Sequence, residues 1–221
     1  MLHADIPLRK KKAAATRLAL LDALHDELSR QDLAQIRVKD LCARVSISEP
    51  TFFKYFPGKA DLLTYALQLW CIETRHKAEQ AAPRSGIEYL MVIFDEMAGS
   101  WSRHPRLWAE VFAHQLSAAP RLRQAPPAYA ELRLRFPQLT AAEEHVPHAP
   151  DELVQLGLQR ALEVRELPGS TNLEAARQAI VGLFFGVPAA ARPARVRQVY
   201  RRSLHLLWLG LNAVACEGGL A

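Results

Sequence analysis

The chain has 221 residues, half of them hydrophobic, which is enough for one small and one larger domain with a core each. Its net charge of +5 is unevenly placed: residues 1–59 hold 11 Lys and Arg against 7 Asp and Glu, and the rest 17 against 16, so the cationic surplus sits at the amino-terminal end. Three distant cysteines, Cys42, Cys71 and Cys216, have no metal-ligand spacing and exclude a disulfide framework.

No segment has the length and hydropathy of a membrane span, and no membrane is expected as a partner. The most apolar stretch, Leu204 to Ala215, is short and contains His205 and Asn212. The amino terminus turns basic without an apolar run behind it, so no secretory leader is expected. Together with the unpaired cysteines this predicts a reduced, cytoplasmic protein.

In chain order, Arg9-Lys10-Lys11-Lys12 comes first. It reads equally well as a flexible arm that follows phosphates or enters a minor groove, and as a solubilising tail. Ala14, Leu18, Leu21, Leu24 and Leu28 then recur at helical spacing and predict a helix from about Ala13 to Ser29. A shorter helix is expected from Val38 to Arg44, with Val38, Leu41, Cys42 and Val45 as its apolar stripe. Ser46-Ile47 breaks it, and Ser48 is placed to cap a third helix. That helix, SEPTFFKYF, ends at Phe56-Pro57-Gly58. Phe52 and Phe56 are four residues apart and share one face for burial, while Thr51, Lys54 and Tyr55 point elsewhere. Two short helices joined by so brief a turn predict a helix-turn-helix, and a small helix anchored by two aromatics and presenting hydroxyl, ammonium and phenol groups suits a DNA major groove.

Residues 17–63 resemble the amino-terminal DNA-binding domain of the TetR family of bacterial transcriptional repressors. The resemblance rests on Ser48, Thr51, Phe52, Phe53, Lys54, Tyr55, Phe56 and Lys59, and covers about the first quarter of the chain. It implies that Thr51, Phe53, Lys54, Tyr55 and Lys59 face double-stranded DNA, with Glu49 and Pro50 near base edges and Ser48 opening the recognition helix. Three positions depart from the family pattern. Ser46 stands where Gly is usual, which predicts either an unfavourable backbone conformation or a slightly different turn. Arg37 stands where Thr usually opens the second helix and exchanges a cap for a phosphate contact. Phe53 replaces the common Tyr and offers apolar contact alone, as to a thymine methyl.

From Ala60 onward the periodicity is helical throughout, and an all-α chain is expected. A long helix from Lys59 to Ala82 has Leu62, Leu63, Ala66, Leu69 and Trp70 as its inner stripe. Further helices are predicted over Ser85 to Arg103, Pro105 to Ala118, Pro126 to Arg135, Pro150 to Glu166, Asn172 to Ala189 and Pro193 to Cys216, with one extended loop from Phe136 to Ala149. The predicted organisation is a basic arm and helix-turn-helix domain over 1–59 and a helical regulatory and dimerisation domain over 60–221.

Ile180, Val181, Leu183, Phe184, Phe185 and Val187, and in the last helix Val196, Val199, Leu206, Leu207, Trp208, Leu209 and Leu211, exceed one core stripe. In a homodimer these two helices and their symmetry mates make a four-helix bundle, an arrangement the resemblance also implies. Met91, Phe94, Met97, Trp101, Trp108 and Phe112 form a stripe that lines an adaptable apolar pocket or packs a core. The resemblance favours a small hydrophobic ligand there that releases a palindromic operator.

Glu143, Glu144, His145, His148, Asp151 and Glu152 gather in sequence, but their spacing matches no metal-ligand set, and a solvated loop is expected. There is no phosphate-binding glycine loop and no nucleophile elbow. No catalytic residue and no cofactor is assigned. The expected function is a sequence-specific DNA-binding repressor relieved by a ligand; the alternatives are a helical protein-binding adaptor and a metal-dependent enzyme.

Overall fold

Side-chain caps open two of the helices, prolines stand at the start of others, and a left-handed serine closes one. The computed structural model describes residues 6–117, 125–138 and 148–217, with backbone alone for 214–217. Among the described residues every regular element is helical, and there is no strand. The elements are α1 (Leu8–Leu28), a 3-10 turn (Leu33–Gln35), α2 (Val38–Val45), α3 (Glu49–Tyr55), α4 (Asp61–Gln80), α5 (Gly86–Arg103), α6 (Pro105–Ser117), α7 (Tyr129–Arg135), α8 (Pro150–Glu163), α9 (Leu173–Ala190), a second 3-10 turn (Pro193–Arg195) and α10 (Val196–Glu217).

By packing they divide into two compact units. One draws on Met1–Trp70 and Arg106–His145, the other on Cys71–Pro105 and Val146–Ala221, so the division falls within α4.

In the first unit, α1 buries Ala14, Leu18, Leu21, Leu24 and Leu28, the stripe read from the sequence, together with Leu20 and Ala23. It starts at Leu8 rather than Ala13. The basic run is therefore its first turns and not a flexible arm: Lys and Ala are strong helix formers, and three alanines follow directly. At the end of α2, Ser46 takes the left-handed conformation, φ 56° and ψ 45°. Its N–H donates to the Ala43 carbonyl at 3.3 Å and that of Ile47 to the Cys42 carbonyl at 3.0 Å, so the helix closes with the hydrogen bonds of a glycine cap but without the glycine. Of the two turns open to the sequence at Ser46, the left-handed one is formed.

In the second unit, the Ser85 hydroxyl accepts from the Glu88 N–H at 3.3 Å and caps α5, and Asn172 accepts from the Ala175 N–H at 3.1 Å and caps α9. The α5 and α8 backbones meet at two glycines. A side-chain carbon at Gly86 would lie 2.3 Å from the Gly157 carbonyl oxygen, and one at Gly157 would strike Leu90. The Glu166 carboxylate also accepts from the N–H groups of Gly86 and Ile87, at 2.6 and 3.2 Å, satisfying orphan donors at the start of α5.

The carboxy-terminal apolar set divides in two. Ile180, Phe184, Val187, Val196 and Trp208 are core, whereas Leu206 and Leu209 are 59% and 55% exposed. A side-chain carbon at Gly182, Gly186 or Gly210 would meet nothing within 4 Å. Cys42 and Cys71 are buried free thiols, and burial raises the pKa of both, that of Cys71 well above the usual thiol range. The Cys216 side chain lies outside the described residues.

Candidate nucleic-acid interface

The recognition-type helix α3 is held from behind by aromatics. Phe52 and Phe56 are fully buried with ring centroids 6.0 Å apart, and Phe56 packs on Tyr65 of α4 at 5.5 Å. The Arg17 guanidinium lies 4.8 Å from both the Phe56 and the Tyr65 ring centroids. Arg17 in turn sits 3.4 Å from the Glu131 carboxylate of α7, whose second oxygen accepts from the Tyr65 hydroxyl at 2.7 Å. Burial first, and then the Glu131 charge, push the Tyr65 pKa far above the phenol range, so the hydroxyl stays a donor. One buried polar cluster thus ties α1, α4 and α7 to the end of α3.

The other side of α3 is open. Glu49, Pro50, Phe53 and Lys54 are exposed, Phe53 by 52%, and Thr51 and Tyr55 are half-buried. Ser48 is the residue before the helix, but its hydroxyl does not bond a backbone N–H as expected of a cap. It pairs with the Thr51 hydroxyl at 2.9 Å, which orients that pair of oxygens at the helix start. Arg37 precedes α2 with no capping bond and stands exposed, 3.6 Å from Asp40. Arg44 pairs with Asp26 at 2.7 Å and also with Glu27, fastening α2 to the last turns of α1.

Lys59 differs from its expected role. Its ammonium donates to the carbonyls of Leu33, Ala34 and Ile36 at 2.6, 3.2 and 2.7 Å, which takes all three of its protons. It clamps the 3-10 turn before α2, and a phosphate contact would require giving these bonds up.

The apolar stripe expected to hold a ligand falls into two groups. On α5, Phe94 and Met97 are fully buried and Met91 and Trp101 half-buried, with Phe94 edge-on to Tyr200 at 4.8 Å and to Phe184 at 6.0 Å. On α6, Trp108 packs against Trp70 at 5.6 Å and Phe112 at 6.2 Å. The first group belongs to the second unit and the second group to the first.

Among the described residues no cluster of His, Cys, Asp or Glu has metal-binding geometry. His148 lies 3.4 Å from Glu152, and Asp151 pairs with Arg177 at 3.2 Å. Glu143, Glu144 and His145, with the rest of the loop over 139–147, lie outside the described residues. No described helix is long and apolar enough to cross a membrane.

Sequence reasoning missed Arg17, Tyr65 and Glu131. No local pattern marks them, since Glu131 is 66 residues from Tyr65 in the chain.

Residues 20–66 match the family model described as bacterial regulatory proteins, tetR family. No curated protein matches the chain. Among solved structures, Thermus thermophilus FadR, described as a TetR family transcriptional repressor in complex with lauroyl-CoA, superposes with TM-score 0.66 at 22% identity, over 88% of this chain and 94% of that one. A TetR transcriptional regulator from Rhodococcus sp. RHA1 superposes with TM-score 0.61 at 18% identity, over 90% and 98%. These likenesses establish a shared fold, and the family match is confined to residues 20–66. Residues 20–66 are thus similar to the helix-turn-helix, DNA-binding segment of the tetR family of bacterial regulatory proteins.

Proposed function

We propose that the protein is a cytoplasmic homodimeric repressor that binds a palindromic operator and is released by a small hydrophobic ligand. In this reading residues 1–59 carry the DNA contacts and residues 60–221 carry dimerisation and regulation. The observation that carries it is α3 itself, whose apolar side is locked by Phe52 and Phe56 while Phe53 and Lys54 stand free at its surface. Thr51, Phe53 and Tyr55 are the base-reading candidates; Ser48, Glu49 and Pro50 set the entry to the groove; Arg37 and Lys54 are the phosphate contacts.

Dimerisation is supported by the open apolar surface of α9 and α10. Leu206 and Leu209 are exposed on α10, and the open space at Gly182 and Gly186 of α9 and at Gly210 of α10 offers close approach to a neighbouring helix. Two half-sites one duplex turn apart, about 34–36 Å, then match the two α3 helices of a dimer. The ligand reading is supported by the Met and aromatic residues of α5 and by the fold shared with FadR, which binds lauroyl-CoA; an acyl thioester of that kind is the first compound to try.

The test is selection of bound fragments from sheared genomic DNA, followed by titration of the recovered site with lauroyl-CoA. A palindrome bound by two chains and released by the thioester supports the whole reading. Indifference to sequence would overturn the repressor, and DNA binding untouched by any acyl thioester would overturn this ligand class.

A further inference from the structure

A cleft of about 400 Å³ opens in the first unit between the start of α1 and the segment leading into α7. That is within the size range of drug-sized ligand sites. One wall is α1 and the turn before it: Ile6, Pro7, Lys10, Ala13 and Ala14. The other is Ala128, Tyr129, Ala130 and Glu131. Four of these nine residues are alanines, and the space exists because their side chains are too small to close it.

The two charged groups in the wall differ in what they need. Glu131 is 3% exposed, and its oxygens are already engaged, one with the Tyr65 hydroxyl at 2.7 Å and one 3.4 Å from Arg17. It does not call for a cation. Lys10 is exposed and has no ion-pair partner among the described residues, so its ammonium is available to an anion at the rim. An apolar interior edged by a lysine ammonium that is unpaired among the described residues selects an amphipathic acid: a flat or short-chain hydrocarbon body against the alanines, with its carboxylate at Lys10.

We infer that this cleft is a binding site for small apolar carboxylic acids, separate from the α5 stripe and independent of whether that stripe holds a ligand. Its position gives occupancy a consequence. Glu131 and Arg17 form the polar cluster that ends on Phe56, the residue closing α3, so an occupant pressed between α1 and α7 bears directly on the support of the recognition helix.

The probe is 2-naphthoate, with uncharged 2-naphthamide as its control, titrated calorimetrically into the full-length protein. Wild type is expected to bind naphthoate, and naphthamide at least tenfold more weakly. Lys10→Gln should remove that tenfold preference. Ala13→Phe, at a half-buried position, should fill the cleft and abolish naphthoate binding, with an unchanged thermal melt showing that the fold is intact. Naphthoate should weaken capture of genomic DNA by wild type but not by Ala13→Phe. The inference is overturned if wild type does not bind naphthoate, if naphthamide binds equally well, or if Ala13→Phe binds naphthoate as wild type does. Failure here leaves the repressor reading standing, because that reading is tested on DNA without the acid.

Discussion

Tyr65 of α4 and Glu131 of α7 share a buried hydrogen bond of 2.7 Å, although 66 residues separate them. Because Arg17 shares the same carboxylate, removing the charge leaves a largely buried guanidinium uncompensated. Glu131→Ala should therefore cost about 3 kcal/mol in urea unfolding. Tyr65→Phe leaves the Arg17 pair in place and should cost about 1–2 kcal/mol. Equal losses from the two variants would mean that the ion pair contributes nothing beyond the hydrogen bond.

Ser46 holds a left-handed conformation that glycine adopts without strain. Ser46→Gly should raise stability by about 0.5–1 kcal/mol, the relieved strain being partly offset by the greater freedom of glycine in the unfolded chain. A lower melting temperature for this variant would show that the serine side chain makes a compensating contact.

Glu27 has its pKa held below the ordinary 4.5, first by its hydrogen bond from Arg44 and also by Gln31. A carboxylate depressed in the folded state stabilises above its unfolded pKa, and that contribution is lost as pH falls through the folded one. Acid unfolding of wild type should therefore steepen below about pH 4.5, and Arg44→Gln should reduce the steepening. Chemical denaturation at a series of pH values measures it; identical pH profiles for the two proteins would remove Glu27 from the acid response.

The dimer surface is tested at its most exposed leucines. Leu206→Asp and Leu209→Asp place carboxylates where burial against a partner would desolvate them, yet disturb no core packing in the single chain. Sedimentation should show a shift from dimer to monomer with the helical signal retained. A wild-type protein that sediments as a monomer at micromolar concentration would refute the dimer directly.

What was legible in the sequence was local. The Phe52 and Phe56 anchor, the break at Ser46 and the helical registers of α2 and α3 follow from spacing and turn chemistry over a few residues. The start of α1 is not legible from periodicity, because Arg9 to Lys12 carries no apolar period, although its residues are good helix formers. The role of Lys59 is not legible locally, because its carbonyl partners lie 23 to 26 residues upstream. The cluster of Arg17, Tyr65 and Glu131 was invisible for the same reason. The apolar set of α9 and α10 could be seen to be in excess, but only the fold separates core Phe184 and Trp208 from open Leu206 and Leu209.

In the proposed function α3 contacts DNA through Lys54, while Lys59 clamps the 3-10 turn ahead of α2. This division of roles is tested most directly by the salt dependence of binding to a selected genomic fragment, measured for wild type, Lys54→Ala and Lys59→Ala. Lys54→Ala should weaken binding and lower the slope of log K against log salt by about one per subunit, as one lost phosphate contact requires. Lys59→Ala should keep the wild-type slope and lose about 2–3 kcal/mol of folding stability, since three backbone carbonyls lose a charged donor. An unchanged slope in Lys54→Ala, with a reduced one in Lys59→Ala, would contradict this assignment.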